Sequence, residues 1–156
     1  MKIIFHLIII LSFSIEIFGT NILIPMDNKQ KNHLKAYGIA YFSLQKKINV
    51  DWLLNFKGGS FLINYNREIE RVCILRNVSF EIISDDYKNE IIEEINLLGN
   101  NADIVKLETY PKIAVYSPKE NQPWDDAVTL VLSYAEIPYD VIYDEDILSN
   151  ILPIYD

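Results

Sequence analysis

Twice in this chain a short apolar run closed by a proline leads into a helical stretch and then into a second strand-like run. "NILIPMD", Asn21 to Asp27, is the first such opening. Leu34, Tyr37, Tyr41 and Leu44 follow at i, i+3, i+7 and i+10, which draws one apolar stripe along a helix. "INVDWLLNF", Ile48 to Phe56, then reads as a second strand. Near the other end "KIAVYSP", Lys112 to Pro118, a helix over 123–136 and the alternating "YDVIYDEDI", Tyr139 to Ile147, repeat the order. Between them "VSFEIIS", Val78 to Ser84, predicts a strand, and "DDYKNEIIEEINLLG" a helix with Tyr87, Ile91, Ile95 and Leu98 inward and Gly99 as its stop. Strands alternating with helices of these lengths predict an α/β fold: a three-layer sandwich of parallel βαβ units, Rossmann-like, with right-handed crossovers.

With 156 residues, half of them apolar, the chain has material for one core of ordinary size. Asn100, Asn101 and Asp103 mark the loop between the two halves, and no linker is long enough to demand two domains. In "LLNFKGGSFLI" the residues Lys57, Gly58, Gly59 and Ser60 separate two apolar runs, which favours a hairpin turn with glycine at positive φ. A phosphate-cradling loop is the rival, but its lysine should follow the second glycine and here it precedes both.

The N-terminus has a different character. Lys2 precedes an almost unbroken apolar run from Ile3 to Phe18 that closes on Gly19, Thr20 and Asn21, the pattern of a secretory signal peptide over residues 1–20. A membrane anchor is the alternative, but a spanning helix wants about 20 apolar residues, and this run is shorter and carries His6 and Glu16. The expected destination is therefore the periplasm or cell envelope, with residues 21–156 as the α/β domain. Membrane contact is expected only through an uncleaved anchor.

Losing Lys2 and Glu16 with the leader leaves the net charge of -8 unchanged. From Pro111 onward Lys112 and Lys119 stand against nine acids, which argues against nucleic acid as a partner. Cys73 is the only cysteine, so no internal disulfide forms; its spacing with Ile69, Val72 and Arg76 places it on a packed helix face. Without the leader His33 is the only imidazole, at the start of a helix, and no serine or cysteine stands in a nucleophile elbow. One histidine and one packed cysteine also fall short of a zinc site. No catalytic residue, metal site or cofactor is assigned.

Carboxylates are the remaining candidates. In open α/β sheets ligands bind beyond the carboxyl ends of the strands. Asp27, Ser117, Asp144, Glu145 and Asp146 all follow strand-like runs, so they form the expected binding edge, unless they only solvate loops or cap the next helix. The adjacent Asp125 and Asp126 read as a helix start instead. Pro123 suits the first turn, Trp124 covers the entry, and the two acids face the positive pole of the helix. At ~100° per residue they share a polar arc with Thr129, Ser133 and Glu136, while Ala127, Val128, Leu130, Val131, Leu132, Tyr134 and Ala135 fill the rest. That helix is expected to be packed on more than one side.

Together "ILIPMDNKQKNHLKAYGIAYF", "VDWLLNFKGGSFL", "QPWDDAV", "YAEIPY" and the leader resemble a family of exported Bacteroidota proteins labelled asparagine synthetase B. The resemblance covers essentially the whole of residues 21–156, and its members are longer, which implies that this chain is an N-terminal portion. It also implies a Rossmann-like layout akin to class I glutamine-amidotransferase folds. The machinery for asparagine synthesis is not in these residues. Cys73 is internal rather than N-terminal, Gly58, Gly59 and Ser60 lack the flanking serine and Asp-Ser of a pyrophosphate loop, and there is no Gly-x-Cys-x-Gly elbow. The expected function is an exported, non-catalytic module binding a small molecule or an envelope protein. The alternative is the first part of a hydrolase or amidotransferase-like enzyme whose catalytic residues lie beyond residue 156.

Overall fold

A computed structural model describes residues 20–98, 102–118 and 127–156. Residues 1–19 of the leader, Gly99, Asn100, Asn101 and the Pro123 to Asp126 helix start lie outside these described residues. Seven strands are described: β1 (Asn21–Ile24), β2 (Val50–Leu54), β3 (Ser60–Asn64), β4 (Glu81–Ile83), β5 (Asp103–Leu107), β6 (Ala114–Tyr116) and β7 (Asp140–Ile142). The helices among them are α1 (His33–Gln45), α2 (Arg67–Leu75), α3 (Asp85–Leu98), α4 (Ala127–Ala135) and α5 (Asp144–Leu148), with a 3₁₀ turn at Leu152–Ile154.

The main sheet overturns the expected parallel, Rossmann-like architecture. Its order is β4-β1-β3-β2-β5, and each neighbouring pair in it is antiparallel. The first strand-helix-strand unit does form, but β1 and β2 are not neighbours. β3 folds back from the β2 hairpin and inserts between them, pairing Ile63 with Ile22 on one side and Val50 on the other. This is the split βαβ arrangement found in ferredoxin-like topologies. Parallel pairing is confined to a separate two-stranded sheet, β6 with β7.

Burial explains why the sequence reads as parallel. Side chains alternate across a strand, and parallel strands, covered on both faces, carry continuous apolar runs. Here an antiparallel sheet is covered on both faces. Ile22, Ile24, Val50, Phe61 and Ile63 meet α1 and α2 through Ala36, Ile39, Ile69 and Cys73. Leu23, Leu53 and Leu62 meet Ile91 and Ile95 of α3 on the other side. All four residues of β1 are consequently buried. Cys73 is fully buried, and that burial pushes its thiol up to about 12, leaving it an inert packing group.

The hairpin between β2 and β3 takes the form the glycines require. Lys57, Gly58 and Gly59 have φ of 44°, 80° and 92°. A Cβ on Gly58 would also stand 2.4 Å from the Met26 carbonyl oxygen, so space and conformation both call for glycine. The helix ends are built alike. Lys47, Asn77, Glu136 and Asn150 follow α1, α2, α4 and α5 with φ between 54° and 63°. Their N–H groups and those of the next residues donate back to carbonyls of the last turn, the Schellman pattern.

Three local expectations also change. β5 pairs with β2 where the sequence offers only a loop residue, Asp103. Leu34, Tyr37 and Tyr87 are exposed, so the α1 and α3 stripes bury only part of their length. Helix α4 buries Thr129 and Ala135 while Val128, Leu130, Val131 and Tyr134 are exposed, the reverse of the expected packing on several sides. The cause is its seat: the Ala135 carbonyl lies where a Cβ of Gly38 would be, and so close a helix contact is made by small residues.

Candidate functional site: an aromatic groove between the two sheets

The expected carboxyl edge is only partly assembled. Ser117 follows β6, is buried, and donates its N–H to the Ile142 carbonyl of β7 at 2.9 Å. Asp144 is reached by the Tyr116 hydroxyl at 2.7 Å, so these residues do share one end of the parallel pair. Asp144, Glu145 and Asp146 form the first turn of α5, where Asp146 Oδ2 accepts the Tyr143 N–H at 2.8 Å. That is the work of a helix start. Asp27 follows β1 in the other sheet, and its carboxylate accepts the Lys29 N–H at 2.9 Å in a local turn. Because β1 and the β6–β7 pair belong to separate sheets, no shared strand edge groups Asp27 with the rest. His33 is exposed at the first residue of α1, its Nε2 3.2 Å from the Met26 and Asp27 carbonyl oxygens. Among the described residues no cluster of three or more His, Cys, Asp or Glu is placed to hold a metal ion.

An aromatic-lined concavity lies elsewhere, between α1, strands β2 and β3, and the segments flanking the second sheet. Helical spacing brings Tyr37, Ala40, Tyr41 and Leu44 to one side of α1. Trp52 and Phe61 are direct cross-strand partners on β2 and β3, with ring centroids 6.3 Å apart. The Tyr37 ring stands edge-on to Phe61 at 5.4 Å and 77°. Leu107, Pro111, Ile113 and Ile137 close a recess of about 250 Å³. Two of its polar groups are already engaged: Trp52 Nε1–H donates to the Gly59 carbonyl at 3.1 Å, and the Tyr41 hydroxyl donates to the Pro111 carbonyl at 2.9 Å. Burial, then the neighbouring Tyr110, holds the Tyr41 hydroxyl above the usual phenol range, so it stays a neutral donor.

A second recess of about 450 Å³ shares Tyr41 and Ile113 with the first. Gln45, Tyr110, Lys112, Pro138, Tyr139 and Asp140 complete its wall. Tyr41 and Tyr110 meet edge-on at 5.6 Å. The two recesses thus adjoin along Tyr41 and Ile113 as two parts of one groove, the first apolar and the second bordered by one cation and one anion. A larger concavity of about 660 Å³ is bordered, among the described residues, by α2.

The second sheet is tied to the first by Glu136, the left-handed residue after α4. Its carboxylate pairs with Lys35 of α1 and with Arg76 after α2, and the Arg76 guanidinium lies 5.5 Å from the Phe42 ring centroid. The hydrogen bond from Lys35 outweighs the cost of burial and, with the charge of Arg76, holds the Glu136 carboxyl below the usual carboxylate range. A depressed folded pKa stabilises the fold above the unfolded value of about 4.3 and loses that contribution as pH falls through the folded value. Glu136→Gln is accordingly expected to lower stability at neutral pH, with the gap to the parent protein closing below about pH 4.3. Urea titrations at several pH values check this, and a gap that persists at low pH contradicts the clasp.

The groove aromatics were visible in the sequence as parts of elements and not as a site. Helical spacing puts Tyr37 and Tyr41, at i and i+4, on the core stripe, and strand periodicity accounts for Trp52. A tyrosine pair beyond what the core needs, beside a tryptophan-bearing strand, was the available signal. No family model, no curated protein and no solved structure matches the chain.

Proposed function

We propose that this is an exported, non-catalytic module that binds a small ligand in the aromatic groove between its two sheets. The observation that carries the reading is the apolar recess formed by Tyr37, Trp52, Phe61 and Leu44, open to solvent and adjoining a more polar one. Ligand sites are concave, mostly apolar and supplied with a few convergent polar groups. Export rests on the leader pattern of residues 1–20, and the resemblance to exported envelope proteins supports it.

The test uses p-cresol, a neutral ring with no charged head. Titrated into the full chain and followed by calorimetry, it is expected to bind saturably. Tyr37→Glu places a charge at the mouth of the recess, at a side chain already 45% exposed. The variant also loses the Tyr37 ring as an aromatic partner, worth ~0.5 to 1.5 kcal/mol, so roughly two- to tenfold weaker binding is expected. Saturable binding that ignores this substitution would remove the groove from the reading.

A further inference from the structure

We infer that the ligand of this groove is a free α-amino acid with a bulky apolar side chain. The inference rests on the groove being the binding site and names what enters it. A dry cavity of about 150 Å³ accepts benzene, so a recess of about 250 Å³ accommodates the side chain of phenylalanine or leucine. Hydroxyl-rich ligands are disfavoured there, because Trp52 and Tyr41 have already given their donors to backbone carbonyls and an unpaired polar group in such a recess is penalised.

The other end sets the class. Lys112 immediately precedes Ile113, which lines both recesses, and the Asp140 N–H donates to the Ile113 carbonyl at 2.9 Å. Both charges thus stand on the backbone that divides the two halves of the groove. Lys112 Nζ is 3.9 Å from Asp140 Oδ2, beyond hydrogen-bond reach. The ammonium lies 4.7 Å from the Tyr155 ring centroid, and Asp140 Oδ2 accepts the Tyr155 hydroxyl at 3.0 Å. Cation and anion form a loose ion pair that lacks a direct hydrogen bond, and each also meets Tyr155. A zwitterion complements both, its carboxylate towards Lys112 and its ammonium towards Asp140. A fatty acid or a simple amine matches only one of the two charges, and a phosphate meets Asp140 on a chain of net charge -8. Because both side chains are about half exposed, at 51% and 56%, the side-chain recess supplies most of the affinity and the charges supply the choice.

Calorimetry on the full chain with L-phenylalanine, N-acetyl-L-phenylalanine, L-phenylalaninamide and p-cresol tests this. Each exposed charge pair is worth up to about fivefold in affinity. Phenylalanine is expected to bind three- to fivefold more tightly than either singly blocked form. Lys112→Met should remove its advantage over the amide while leaving p-cresol unchanged. Equal affinity for phenylalanine and its N-acetyl form would show a site for a peptide carboxyl terminus and overturn the inference. Binding of p-cresol without phenylalanine would overturn it too and leave the groove reading standing, whereas failure of every probe removes both.

Discussion

Gly38→Ala is expected to unseat helix α4 and with it one wall of the groove. A glycine inside a helix costs ~1 kcal/mol relative to alanine, so α1 alone would gain from the change. The tertiary contact reverses the sign. A Cβ at this position would lie 1.8 Å from the Ala135 carbonyl oxygen and 2.9 Å from its carbon. Both are backbone atoms held by the α4 terminus, so the helix must move as a body. Overpacking of this kind costs about 1 to 3 kcal/mol or more. The displacement also strains the Glu136 contacts to Lys35 and Arg76 and shifts Ile137 in the recess wall. The measurement is paired: urea unfolding for stability, and p-cresol affinity for the groove. A variant that is more stable and binds normally would show that α4 does not sit on Gly38.

Ile63→Ala is expected to be the most destabilising single change in the main sheet. Ile63 lies on the central strand β3, opposite Ile22 and Val50, and is 1% exposed in the core beneath α1 and α2. Large-to-small changes at such positions lose transfer energy and leave a cavity, costing about 2 to 5 kcal/mol. Ile82→Ala on the edge strand β4, 42% exposed, is the control, expected to stay within about 0.5 kcal/mol. Urea midpoints at unchanged m-values measure both. Similar losses at the two positions would mean that β3 is not the sheet's centre.

The register of these strands was open to the sequence in pieces. "KGGS" between two apolar runs required a hairpin, hence an antiparallel β2–β3 pair, and that pair is present. A hairpin is already at odds with an all-parallel sheet, and the alternation of strands with helices that points to parallel units is equally met by a split βαβ unit, while the doubly buried run "NILI" looks the same in either orientation. Strand β5 escapes two-residue periodicity because Ile104 and Val105 stand side by side between Asp103 and Lys106, next to a turn-like "GNN", and edge strands carry charge for protection. Helical angles placed Thr129 on a polar arc and Val131 in the core, while the fold does the opposite because Gly38 admits a backbone contact there.

For the site, residue type located the carboxylates after the strands but not their duties. Asp144 and Asp146 are spent on Tyr116 and on the start of α5. The groove could not be read locally, since Tyr41, Trp52, Phe61, Ile113 and Ile137 come from five separate segments.

The sequence by itself determined what local physics controls. Periodicity set most helices and strands, glycines with positive φ set the hairpin, and the spacing around Cys73 set its burial. Tertiary structure alone decided strand order, the face that α4 turns inward, and the meeting of α1 aromatics with the β2–β3 pair and the Lys112–Asp140 charges. Those outcomes depend on which buried faces close against each other across long stretches of chain, and apolar burial is non-directional.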